Sequence, residues 1–84
     1  MAVLKKEFGK KIIGMTEALD VKSKNADNAL GKILEQIRDN KHLFEDDMAE
    51  EMIGAVVDII EYIKNKNFVE AERRKNYLAG LLKQ

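Results

Sequence analysis

Residues 47–63 read Asp47-Met48-Ala49-Glu50-Glu51-Met52-Ile53-Gly54-Ala55-Val56-Val57-Asp58-Ile59-Ile60-Glu61-Tyr62-Ile63. Met48, Met52, Ile53, Ala55, Val56, Ile59, Ile60 and Ile63 recur at the period of a helix and sweep roughly 160° of its surface. Asp47, Glu51, Asp58 and Glu61 mark the wet side. One neighbour cannot cover so wide an apolar face, so the spacing predicts a central helix packed against two or more others. Glu45, Asp46, Asp47 and Glu50 complement the positive end of its dipole, and Lys64 and Lys66 the negative end. Asn65-Lys66-Asn67 stops it, and asparagine is the residue expected to tolerate the left-handed conformation of a helix stop.

Working outward, Leu4, Phe8, Ile12, Met15 and Leu19 form one narrow stripe on a first helix from about Val3 to Leu19. Lys5, Lys6, Lys10 and Lys11 flank it. Asp20-Val21-Lys22-Ser23-Lys24-Asn25 is rich in side chains that compete for backbone hydrogen bonds, and Ser23 or Asn25 is expected to cap the next helix. That helix buries Ala26, Ala29, Leu30, Ile33 and Ile37. Its stripe is in phase with the first, so one helix from Leu4 to Ile37 also satisfies the pattern, although the break is favoured. Asp39 to Phe44 reads as a second turn. Asn67 is placed to cap a last helix with Phe68, Ala71, Leu78 and Leu82 on one face. There Lys75 falls in the gap of the stripe, its stem available to cover apolar surface, while Tyr77 and Leu81 widen the face.

The expected fold is therefore all-α: a single domain over residues 1–84, built as a small antiparallel bundle of four helices, or three if the first two are continuous. Short connections favour antiparallel neighbours, and the chain has no proline to interrupt a helix. A domain of 84 residues buries only about 60–65% of its unfolded surface, which leaves a thin margin of stability. Without cysteine, neither disulfides nor thiolate metal sites can supplement it. No signal-like leader and no membrane-length apolar run is legible, and a cytoplasmic location is expected.

Net charge is zero but segregated: +3 over residues 1–34, −7 over 35–61 and +4 over 62–84. The acidic middle can attract both basic ends within the bundle. The same segregation disfavours a dedicated nucleic-acid binder, which needs a concentrated basic field. A basic patch can still be drawn from Lys5, Lys6, Lys10 and Lys11 with Arg73, Arg74 and Lys75, but no aromatic residues interleave it.

Nucleophilic catalysis needs an activated side chain beside a base. The chain offers one histidine (His42), one serine (Ser23), one threonine (Thr16) and no cysteine. His42 precedes Glu45 and Asp46, yet no Glu-x-x-His unit of the kind used by di-iron bundles is present. Neither a metal, a cofactor nor enzymatic activity is expected. The five glycines, Gly9, Gly14, Gly31, Gly54 and Gly80, stand singly inside helical patterns, each outside the apolar stripe. Each costs about 1 kcal/mol relative to alanine. Tolerated drift at solvated positions accounts for them; the sharper alternative is close approach of a second backbone. A candidate contact surface is drawn from Val3, Lys10, Gly14 and Val21 on the back of the first helix, with Gly54 and Val57 on the third.

The hairpin from Ala55 to Leu82 resembles one tetratricopeptide repeat in the spacing of Tyr62, Phe68 and Ala71. It departs from that repeat at Lys75, where an aromatic would follow. No second copy appears at an offset of about 34 residues, so the resemblance implies a helical hairpin and no membership.

The functional expectation is a non-enzymatic binding or regulatory module, such as an adaptor, inhibitor or assembly factor. It would act by contact with a protein partner, including a second copy of itself. The alternative expectation is a nucleic-acid-associated protein using the two basic ends.

Overall fold

The computed structural model describes residues 2–44 and 46–83, including all their side chains except those of residues 2–6 and 46. The side-chain roles assigned above to Val3, Leu4, Lys5, Lys6 and Asp46, and every role of Glu45, lie outside the described residues. The elements are α1 (Ala2–Glu17), α2 (Ala26–Asp39), a short 3-10 turn (Lys41–Leu43), α3 (Asp46–Lys64) and α4 (Phe68–Leu82). There is no strand among the described residues. The described residues form four α-helices packed on one another, in a body measuring 39 × 21 × 19 Å.

The helices close a ring. α1 packs on α2, α2 on α3, and α3 on α4, while α4 returns against α1; the α3–α4 interface is the most extensive. Glu51 meets Tyr77 and Asp58 meets Arg74, so residue numbers fall along α4 as they rise along α3. Lys83 reaches Glu17 and Lys75 reaches Leu19 in the same antiparallel sense across α1 and α4.

α3 is central as its wide face requires. Met52, Ala55, Val56 and Ile59 are buried, and Met48, Ile53, Ile60 and Ile63 pack partly buried around them. From the other helices come Phe8, Ile12, Leu30, Ile33, Ile37, Ala71, Leu78 and Leu82. Removing each fully buried Leu, Ile or Met side chain from water is worth roughly 1.5–3 kcal/mol. At the bundle end the rings of Phe8 and Phe44 lie 5.6 Å apart and tilted by 56°, a favourable aromatic arrangement. Thr16 is fully buried and its hydroxyl donates to the Ile12 carbonyl at 2.8 Å, so this buried hydroxyl is satisfied.

The first two helices are separate. After α1 the backbone turns on local bonds: the Asp20 carboxylate accepts from the Lys22 N–H at 3.0 Å, and the Ser23 hydroxyl accepts from the Asn25 N–H at 3.1 Å. These bonds offer the chain an alternative to continuing the helix. Leu19 and Val21 are buried from this turn, so it is held from inside as well. Asn25 stands at the N-cap of α2 and Asn67 at that of α4, but neither side chain makes a capping bond. Ser23 likewise serves the turn rather than the helix. Asn40 does cap: its side-chain amide donates to the Gln36 carbonyl at 2.8 Å, occupying one of the orphan acceptors at the end of α2.

The stop after α3 differs from the expectation. Lys66, not an asparagine, holds the left-handed conformation, with φ 58°. The Lys66 N–H bonds the Ile63 carbonyl at 3.0 Å, and the Asn67 N–H bonds the Tyr62 carbonyl at 2.8 Å. This paired pattern is a Schellman stop, which places the positive φ one residue beyond the cap. Position in the hydrogen-bond ladder, not residue preference, selects Lys66. A lysine is strained there, at roughly 1 kcal/mol relative to glycine. The variant Lys66→Gly is therefore expected to raise the thermal unfolding midpoint by roughly 3–8 °C. A scanning-calorimetry midpoint that is unchanged or lower would show that the left-handed stop is not populated in solution.

Candidate functional site

The residues singled out in the sequence divide once the helices are assembled. Lys10 and Gly14 are exposed on α1, and Gly54 and Val57 are exposed on α3. Because α1 packs on α2 and α4, with α3 across the ring, these are two outer faces and not one patch. Val21 belongs to neither. It follows the end of α1, sits in the turn and is only 3% exposed. The back-face placement required the helical phase of α1 to continue through residue 21. Once the helix ends at Glu17, the turn swings Val21 into the core.

The basic cluster is also divided. Lys10 and Lys11 are exposed on α1, and Arg73 is exposed on α4, where it pairs with Glu70 at 3.2 Å. Successive residues on a helix point about 100° apart, so Arg73, Arg74 and Lys75 cannot share a surface. Arg74 turns to α3, donating to one Asp58 carboxylate oxygen through Nε at 3.2 Å and Nη2 at 2.9 Å. Lys75 turns to α1, where Nζ donates to the Leu19 carbonyl at 2.7 Å and lies 3.5 Å from Glu72. Its side chain is only 13% exposed, so the stem covers apolar surface as the sequence suggested. The ammonium end was not legible there, because the Leu19 carbonyl is 56 residues away in the chain.

On the outer face of α3 and α4, charged and aromatic side chains are linked. The Arg74 guanidinium lies 4.7 Å from the centre of the Tyr77 ring, and the Tyr77 hydroxyl donates to the Glu51 carboxylate at 2.7 Å. Asp47, Glu50, Glu51, Gly54 and Asp58 line a shallow acidic groove closed on one side by Arg74. The hydrogen bond to Glu51 holds the Tyr77 phenol above its ordinary value, reinforced by desolvation and by the Glu51 charge, while Arg74 pulls the other way. Exposed pairs of this kind add little stability; they fix side-chain directions.

A second groove lies at the far end of α4, between its first turns and the turn after α1. Val21, Lys22, Lys66, Phe68, Val69 and Arg73 are among its lining residues. Val69 is the most exposed large apolar side chain described, at 67%. Sequence reading passed over it because its position, one residue from Phe68 in the apolar stripe, carries no periodic signal.

His42 is exposed in the 3-10 turn. Among the described residues, no helix is long and apolar enough to cross a membrane. Comparison with known protein families, curated proteins and solved structures found no match to this chain.

Two outcomes follow. Replacing Lys75 by methionine keeps the stem and removes the ammonium, leaving a partly buried carbonyl without its charged donor. A loss of about 1–2 kcal/mol is expected, read as a lower urea midpoint at unchanged slope. For Tyr77, the fold favours the neutral phenol. Its contribution is present below the ordinary tyrosine value of about 10 and is lost as pH rises through the elevated one. In a Tyr62→Phe background, ultraviolet titration should place the midpoint of Tyr77 above 10, and Glu51→Gln should bring it back toward 10.

Proposed function

We propose that this chain is a non-enzymatic helical module that works by protein–protein contact, using the outer faces of α1 around Gly14 and of α3 around Gly54 and Val57. The observation that carries this reading is that the fold has no use for those glycines. A Cβ added at Gly14 or Gly54 would meet no atom within 4 Å beyond its own stretch of helix backbone, and no glycine takes a positive φ among the described residues. Alanine would therefore be tolerated at both positions and favoured by about 1 kcal/mol each. What supports an intermolecular role is that close approach of a second backbone is the remaining physical use for a side chain of zero volume. Val57, 45% exposed, sits one helical turn from Gly54 and supplies apolar area to the same contact.

The nucleic-acid reading gains nothing comparable. Arg74 and Lys75 are engaged with Asp58, Glu72 and the Leu19 carbonyl, so the described cations do not form the continuous field that phosphate binding requires.

Stability and binding should separate in the tests. Gly14→Ala and Gly54→Ala are each expected to raise the thermal midpoint by roughly 3–8 °C. Gly14→Leu and Gly54→Leu should keep their helical circular dichroism yet lose self-association, read by sedimentation equilibrium, or lose the proteins co-purified with wild type from native lysate. Unaltered mass and unaltered co-purification in both leucine variants would leave the two faces without a role.

A further inference from the structure

The groove between the turn after α1 and the first turns of α4 combines an exposed apolar side chain with a rim of several cations. Its apolar part is Phe68, half-buried, and Val69, 67% exposed, with the buried Val21 also in the lining. Its rim is cationic, and the cations come from three separate elements: Lys22 from the turn after α1, Lys66 from the α3–α4 connection and Arg73 from α4. Glu72 is the one acid in the lining, and it lies 3.5 Å from the Lys75 ammonium. Arg73 is tied to Glu70 by an exposed pair, which a competing carboxylate can replace at little cost. Lys22 and Lys66 make no ion pair among the described residues.

Taking this chain as a protein-binding module, we infer that this groove docks a short acidic peptide segment from a partner protein. One apolar side chain of the segment would lie against Val69 and Phe68, with carboxylates on either side of it facing Lys22, Lys66 and Arg73. Charge complementarity selects this occupant, and apolar area supplies the affinity. Covering Val69 removes from water the most exposed of the large apolar side chains described, and the surrounding positive charge sets the sign of the flanking residues. A polyanion such as a nucleic acid fits less well, because Glu72 lines the groove and Glu70 is paired with Arg73 on its rim, and both would repel a uniform line of phosphates. A segment with two or three carboxylates around an apolar residue can place its charges on the lysines and avoid those acids. A second copy of the chain fits less well too: on its acidic α3 face Asp58 and Glu51 are already held by Arg74 and Tyr77, and Asp47 and Glu50 lie on a packed helix whose neighbouring Met48 already packs against its own core.

The left-handed backbone at Lys66 gives the test its discrimination. Lys66→Gly removes a rim cation while relieving strain, so a gain in stability should accompany a loss in binding. Val69→Glu places an acid in the first turn of α4, where the helix dipole accommodates it, and replaces the apolar contact with a repelling charge. The 84-residue chain is immobilised and presented with a display library of random 12-residue peptides. A synthetic peptide of the leading enriched sequence is then titrated by fluorescence anisotropy at low ionic strength.

Enriched sequences should carry Asp or Glu on both sides of a Leu, Ile, Phe or Trp. Binding of the synthetic peptide should weaken about threefold in Lys66→Gly, the scale of one exposed charge pair, and at least tenfold in Val69→Glu. Gly54→Leu should bind it as wild type does. The groove proposal is overturned if no peptide is enriched, if the enriched peptides are basic or uncharged, or if Val69→Glu binds equally well. It is overturned equally if a heparin or RNA oligomer binds with the same affinity and the same sensitivity to Val69→Glu. Self-association of the chain that Val69→Glu abolishes would assign the groove to a second copy and overturn it as well. Peptides lost with Gly54→Leu but kept with Val69→Glu would sink the groove alone and leave the protein-contact reading standing.

Discussion

Everything in this bundle depends on covering α3. Its apolar residues span too much of the helix circumference for one partner, so α2 must lie on one flank and α4 on the other, with α1 closing the ring behind them. A chain this small buries a modest fraction of its surface, and Met52, Val56 and Ile59 on α3 are among its few side chains entirely out of water. Any shortening or rotation of α3 would expose part of that set. The other helices contribute narrower stripes that have meaning only against this one.

With α3 covered, the polar interactions act as locators. Lys75 ties the end of α1 to the middle of α4 through the Leu19 carbonyl, and Lys83 repeats the link to Glu17 nearer the C-terminal end of α4. Arg74 and Tyr77 do the corresponding work between α4 and α3. All but Lys75 are substantially exposed, so their value lies in fixing the rotation of α4 more than in stability. The segregation of charge along the chain is spent partly inside the bundle, and this dissolves the basic patch that the linear sequence suggested. Lys22 and Lys66 remain outside such pairs, beside an apolar side chain that no helix covers.

The two candidate surfaces differ in how they arise. The glycine faces of α1 and α3 are negative features, positions where the fold would gain from a methyl group and does not have one. The groove at the start of α4 is a positive feature, assembled from three elements brought together by the turn after α1 and the stop after α3. These are places where the described surface departs from a solvated helix.

Helical class, the number of helices, their approximate ends and most of the core were legible in the residues. Ile12, Leu30, Ile33, Ile37, Met52, Ile59 and Leu78 follow the helical period, and a periodic apolar stripe is a local property that any neighbour must bury. The break at Asp20 to Asn25 was legible for the same reason, since the competing hydrogen bonds are made within two residues. Only the tertiary structure decided the rest. It turned Val21 from a surface position into the core, gave the left-handed position to Lys66 instead of an asparagine, and sent Arg73, Arg74 and Lys75 to three different surroundings. It also gathered Lys22, Lys66 and Val69 around one groove. Each of these outcomes depends on where one helix ends relative to another, and on contacts between residues far apart in the chain. Periodicity reports which side of a helix is oily, whereas the partner that side meets is set by the packing of all four.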